Sequence, residues 1–242
     1  MIIHLINLDR SPDRLAEFQR VNEHIANVDR FSAVDGQTVD VASLVTNRMI
    51  DPVAKPSYSQ GAIGAALSHG ALWSRAIEEN RPLTICEDDA IFHSEFERLS
   101  QSLIATLPPD WDLISWGWNF DANLLIDFIP GISPCLCTFD QGSLVIHATD
   151  FKTRRVQPLA FPLLRSFGIP CYSVSPRGAQ LLKSTCFPLR TMTIFFPGIG
   201  RHIPNVGIDV VMNAAYPNMK AYVSFPPLVI TKNERNRSTI QK

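Results

Sequence analysis

The chain has 242 residues, of which 45% are hydrophobic and 19% charged, and its formal net charge is −1. That composition supports a packed core and excludes disorder as the default state. A near-zero balance carries no global basic excess, so no nucleic-acid partner is expected.

The opening run MIIHLINLDR is apolar for only a few residues before Asp9 and Arg10. It has no basic leader and no long apolar segment, so it reads as a first strand over 2–8 and not as a signal peptide. No apolar run reaches the length of a membrane span. The five cysteines form an odd set, which fits free thiols and a cytoplasmic setting. Cys135 and Cys137 make a C-x-C pair with only His147 as a further soft ligand nearby, too few for a zinc site.

Ser11-Pro12 is a helix start, and Leu15, Phe18, Val21, Ile25 and Val28 then recur at steps of three or four. RFSAVDGQ, 30–37, reads as a short strand running into an Asp-Gly turn. Residues 38–58 carry Pro52 and Pro56 and read mainly as loop with one helical turn. From Ser59 a helix follows, in which Gly61, Gly64, Ala65, Ala66 and Gly70 leave room for close packing. LTIC, 83–86, is a central strand that ends in Glu87, Asp88 and Asp89. A helix over 94–106 and a strand over 111–118 come next. Within 119–168 strands are expected near 143–147, the rest being loop. Residues 170–185 give a strand, then a helix capped by Ser175, where Arg177 begins the helix. The late strand AYVSFPPLVI, 221–230, is bent or set at an edge by its two prolines.

Strands alternating with helices argue for an α/β fold, a mixed sheet flanked by helices. One domain is expected over 1–230, followed by a polar tail over 231–242. Ligands of such sheets gather at the carboxyl ends of the strands. Both Asn7-Leu8-Asp9-Arg10 and the triplet Glu87-Asp88-Asp89 fall at such ends. Crowded carboxylates stay ionised only when a cation or hydrogen-bond donors compensate them. The triplet is therefore either a divalent-cation site or a solvated, capped turn.

INLDRSPDR, RFSAVDG, GAIGAALSHGALW, ICEDDA, WDLISWG, YSVSPRGAQLL and GIDVVM follow one another in this chain. In that order they resemble glycosyltransferase family 25, which includes lipooligosaccharide galactosyltransferases and procollagen galactosyltransferases. The resemblance covers about residues 2–230 and is least clear over 119–168. It implies a GT-A-like nucleotide-sugar-binding fold and a UDP-sugar donor, commonly UDP-galactose. It also implies Mn2+ or Mg2+ on an acidic motif and transfer with inversion to a saccharide or glycolipid acceptor such as lipooligosaccharide. Ala65 stands where the family often has cysteine, and Cys86 where an aliphatic residue is usual; neither change removes a charge.

The resemblance puts the metal on Glu87, Asp88 and Asp89; strand alternation, with Glu87 and Asp89 on one side and Asp88 on the other, makes Asp89 the expected ligand with Asp88 second, and sets Glu87 toward ribose or metal-bound water. Asp209 in GIDVVM is the candidate catalytic base, or else a helix N-cap. His69 contacts donor phosphates, or else is a buried histidine bonded to a backbone carbonyl. Asn7 and Asp9 bind base or ribose and Arg10 a phosphate, or Asp9 and Arg10 merely cap the next helix. Trp116 or Trp118 offers an apolar platform to a sugar face, while Trp73 and Trp111 belong to the core. Phe195 and Phe196 near Arg201 suit peripheral contact with the inner membrane face, or the core. Two rival functions use the same residues: an inactive nucleotide-sugar-binding module and a metal-dependent phosphoester hydrolase. No P-loop or phosphoryl-transfer nucleophile adjoins the carboxylates, which disfavours the hydrolase.

Overall fold

The computed structural model of the protein describes residues 1–233. It opens with β1 (Ile3–Asn7), α1 (Pro12–Val21), β2 (Val28–Ser32), α2 (Val41–Thr46), α3 (Gln60–Glu78) and β3 (Leu83–Glu87). Next come β4 (Ala90–Phe92), α4 (Phe96–Ile104), β5 (Leu113–Ser115), β6 (Leu124–Ile129), β7 (Ser133–Cys137), α5 (Gln141–Phe151) and β8 (Leu159–Arg165). The chain closes with β9 (Cys171–Val174), α6 (Pro176–Cys186), β10 (Thr193–Phe196), β11 (Arg201–Pro204), α7 (Ile208–Met212), β12 (Ala221–Phe225) and β13 (Val229–Thr231).

Nine strands form one mixed sheet in the order β2-β1-β3-β9-β5-β12-β8-β6-β7. β1 runs parallel to both β2 and β3, and β9 runs antiparallel between β3 and β5. Side chains alternate across each strand, and that alternation divides the core. Ile3 and Leu5, with Cys86, Ile114 and Cys171, pack under Phe18 of α1 and Phe96, Leu99 and Leu103 of α4. Ile6, Ile85, Leu113, Tyr172 and Val174 pack on the other face, with Leu72 and Trp73 of α3 and Leu182 of α6. Each large apolar side chain so buried contributes about 1.5–3 kcal/mol. The expected α/β architecture, a mixed sheet with helices on both faces, is the one observed.

Several local expectations need correction. Residues 143–147 are not a strand; they lie in α5, whose N-cap Asp140 accepts a hydrogen bond from the Ser143 N–H. Within 38–58 the expected helical turn is α2, capped in the same way by Asp40 on Ala42. The late strand is two: β12 lies inside the main sheet, and β13 turns away to pair with β4. Trp116 and Trp118 are fully buried, so neither offers a face to a sugar. Trp116 Nε1 donates to Ser173 Oγ at 2.8 Å, and Trp118 stacks on Phe120 and Phe225. Phe196 is core, while Phe195 is half exposed on the β10–β11 ribbon. Cys135 and Cys137 sit 3.9 Å apart at sulfur, and His147 is exposed beside Asp150. Of the expected tail, Thr231 completes β13, and the part from 234 onward lies outside the described residues. No described helix is long and apolar enough to cross a membrane.

Candidate active site at the carboxyl ends of the parallel strands

β1 and β3 lie side by side, with Ile6 opposite Glu87, so their carboxyl ends open at the same edge of the sheet. β9 starts at that edge, with Cys171 opposite Cys86, which brings the preceding Gly168 and Ile169 to the same place. A cleft of about 740 Å³ opens there. It gathers His69 from α3, the triplet Glu87, Asp88 and Asp89, and Asp209 from α7. Arg10 and Arg14, at the start of α1, line it as well.

The three carboxylates of the triplet have different surroundings. Both Asp88 oxygens are engaged: Arg14 donates to Oδ1 from Nε at 2.8 Å and again from Nη2, and Asn7 Nδ2 donates to Oδ2 at 2.8 Å. Thr231 favours the charged form of Asp89, while Asp89 Oδ1 is buried and meets no donor among the described residues. Glu87 lies 3.6 Å from His69 Nε2. Burial, then the neighbouring Asp209 and Asp88, raises the Glu87 carboxyl to about 8. Burial, then Glu87, raises Asp89 to about 7. Burial likewise raises Asp209, against which the Gly168 N–H donates to its Oδ2 at 2.9 Å. Burial pushes the His69 imidazole down to about 4, so the ring is neutral at physiological pH.

The donor set suits a hard divalent cation. It consists of carboxylate oxygens, one of them an orphaned buried acceptor, in a site with excess negative charge. Among the described residues no group of three or more His, Cys, Asp or Glu makes a complete metal cage. One or two carboxylates leave most of a hard cation's coordination positions open to other oxygen ligands.

A profile of glycosyltransferase family 25 (LPS biosynthesis protein) matches residues 1–186. The chain belongs to that family. A "Glycosyltransferase 25 family member" from Drosophila pseudoobscura pseudoobscura is 30% identical over 145 residues, covering 51% of this chain. That alignment spans 23% of the relative's own length. The family match contains His69 and the acidic triplet and stops short of Asp209 and Thr231. Family 25 membership supports a role in glycosyl transfer.

In this family 25 chain, not every predicted site residue is turned to the cleft. Asn7 lines the cleft but is buried, and its amide bonds to Asp88, to the Ser11 carbonyl and, at Oδ1, to Arg30. Asp9 does not line the cleft; it pairs with Arg30 at 2.5 Å and accepts from Ser32 at 2.7 Å. Arg10 does line it, held by Asp35 at 2.6 Å. Asp209 is not a helix cap, because Gly207 occupies that position in α7. His69 bonds to a tyrosine hydroxyl, not to a backbone carbonyl. Ser175 does cap α6, and Arg177 is taken up by Asp112. Sequence reasoning missed Arg14, which reads as a solvent-facing helix residue, and Gly168, Thr231 and Lys232, which the chain brings in from afar.

Proposed function

We propose that this protein transfers galactose from UDP-galactose to a hydroxyl of a saccharide or glycolipid acceptor, with inversion at the anomeric carbon. Mn2+ or Mg2+ is the cofactor, and the cleft at the ends of β1 and β3 is the donor site. The observation that carries the reading is the acidic cluster itself. Seven acidic side chains line one cleft of a family 25 chain, among them Glu87, Asp88, Asp89 and Asp209, and Arg14 holds Asp88.

In this reading Asp89 holds the cation through its unpartnered oxygen, with Asp88 behind it. The cation, when bound, neutralises charge that develops on the departing diphosphate. Arg10 keeps a guanidinium edge at the cleft for a phosphate oxygen. Glu87 accepts a hydrogen bond from the donor's ribose. Asp209 takes the proton from the acceptor hydroxyl; its raised pKa moves it toward the operating pH, where a general base is most effective. The choice of galactose and of inversion rests on the family resemblance.

The test is a transfer and donor-hydrolysis assay with UDP-galactose, with and without Mn2+, on the protein and on Asp89→Asn. Sugar release or transfer that requires both the metal and Asp89 supports the proposal. UDP binding without turnover would indicate the inactive module, and phosphate release from simple esters the hydrolase.

A further inference from the structure

His69 is 1% exposed, and its ring is held from behind by two other buried side chains. Trp73, one helical turn along α3, donates its indole N–H to the Tyr172 oxygen at 2.8 Å. The same oxygen lies 2.9 Å from His69 Nδ1. An indole nitrogen can only donate, so the Tyr172 oxygen is an acceptor toward Trp73. Tyr172 has one hydroxyl proton and is buried away from water. Among the described residues His69 Nδ1 is the acceptor within its reach.

The alternatives fail on this count. A proton on His69 Nδ1 would make the Tyr172 oxygen accept twice and leave its own O–H unpaired in the core. A buried donor left unmet costs about 1–3 kcal/mol. A doubly protonated ring meets the same obstacle.

We propose that Trp73 and Tyr172 are positioning residues that lock His69 in its neutral Nε2–H tautomer, so that a fixed N–H dipole faces Glu87 on the cleft floor. The contact from Nε2 to Glu87 Oε1 is 3.6 Å, longer than a hydrogen bond. A shift of a few tenths of an ångström closes it, and such contacts commonly tighten when ligand binds. The chain Trp73, Tyr172, His69, Glu87 thus runs from the core to the carboxylate that begins the acidic triplet. It gives Glu87 a set orientation next to Asp89. The catalytic consequence rests on the transferase reading; the tautomer does not.

The test has two arms. In the protein without metal or donor, 15N NMR of labelled histidines should show His69 with Nε2 protonated and Nδ1 a bare acceptor. Tyr172→Phe keeps the volume and removes the hydroxyl; its His69 signals should move toward a mixture of tautomers. In the same variant kcat/KM should fall by roughly 10- to 100-fold, the usual effect of losing a residue that orients a site group. His69→Gln, which can accept from Tyr172 and donate to Glu87, should retain more activity than His69→Leu. A wild-type ring carrying its proton on Nδ1 would overturn the proposal, whether or not any variant folds. So would a Tyr172→Phe protein with unchanged tautomer and unchanged kcat/KM. If the tautomer is as proposed and no sugar is transferred, the transferase reading fails and this inference stands.

Discussion

Arg14 on α1 donates its Nε–H to Asp88 Oδ1, 2.8 Å away across 74 positions of chain. Asn7 at the end of β1 holds the other oxygen of the same carboxylate. Together they tie the first strand and helix to the acidic turn after β3. Arg14 also lowers the pKa of Glu87 and of Asp89 against the burial that raises them. Replacing it by Gln removes a partly buried charged hydrogen bond and leaves the carboxylates to repel one another. The expected loss is about 1–3 kcal/mol at pH 7.5, measured by urea unfolding without metal. A loss within about 0.5 kcal/mol, the range of ordinary surface substitutions, would mean that the pair is ornamental.

Stability without metal should fall with rising pH. Glu87 titrates near 8 in the folded protein against an ordinary 4.5, and Asp89 near 7 against 3.8. Both therefore bind more protons folded than unfolded across the interval between those values. Their contribution is fully present below about pH 4 and is lost as pH climbs to about 8. His69, lowered from 6.5 to about 4, acts in the opposite sense and costs stability as pH falls through that window. Melting temperatures followed from pH 6.5 to 8.5 should decline, and Glu87→Gln should flatten the decline. A variant whose profile parallels the parent would show that Glu87 ionises freely.

Asp209→Asn should lower turnover by roughly 100- to 10,000-fold, the range lost with a general base. UDP binding, followed by calorimetry, should persist, because the amide still accepts the Gly168 N–H. If nucleotide affinity falls in step with turnover, Asp209 belongs to donor binding and not to acceptor activation.

Gly168 holds that N–H in place from a left-handed backbone, φ +77. A Cβ there would stand 2.2 Å from the Asn119 side chain. Gly168→Ala should therefore cost about 1–3 kcal/mol through strain and displacement of the loop. It should also depress turnover, because the hydrogen bond to Asp209 moves with the loop. Full activity in a stable Gly168→Ala protein would detach the loop from the site.

The strands that carry the site were legible because their apolar runs are contiguous and sharply ended. LTIC followed by three carboxylates has few other meanings, and Ser59 caps α3 with its side chain on the Ala62 N–H as its residue type suggests. The run SLVIH over 143–147 misled because Leu144, Val145 and Ile146 imitate a strand; the Asp140 cap, three residues before Ser143, is what commits them to helix. β6, β7 and β8 went unassigned because their pairing is with one another and with β12, far off in sequence. At the site, residue type could not separate ligand from scaffold. Asn7 and Asp9 look like binding residues, yet Asn7 is engaged by Asp88 and Arg30, and Asp9 by Arg30 and Ser32. Arg14 was hidden for the converse reason, since its partner lies 74 residues away.

The most direct measurement is calorimetric titration of Mn2+ and UDP, singly and together, into the protein and into Asp89→Asn. Each ligand should strengthen binding of the other in the parent, and this coupling and at least ~100-fold of turnover should vanish in the variant. Its folded stability should be retained, and at pH 8 without metal it should rise, since a carboxyl that burial holds near 7 is gone. Coupled uptake of metal and nucleotide that survives Asp89→Asn unchanged would contradict the account.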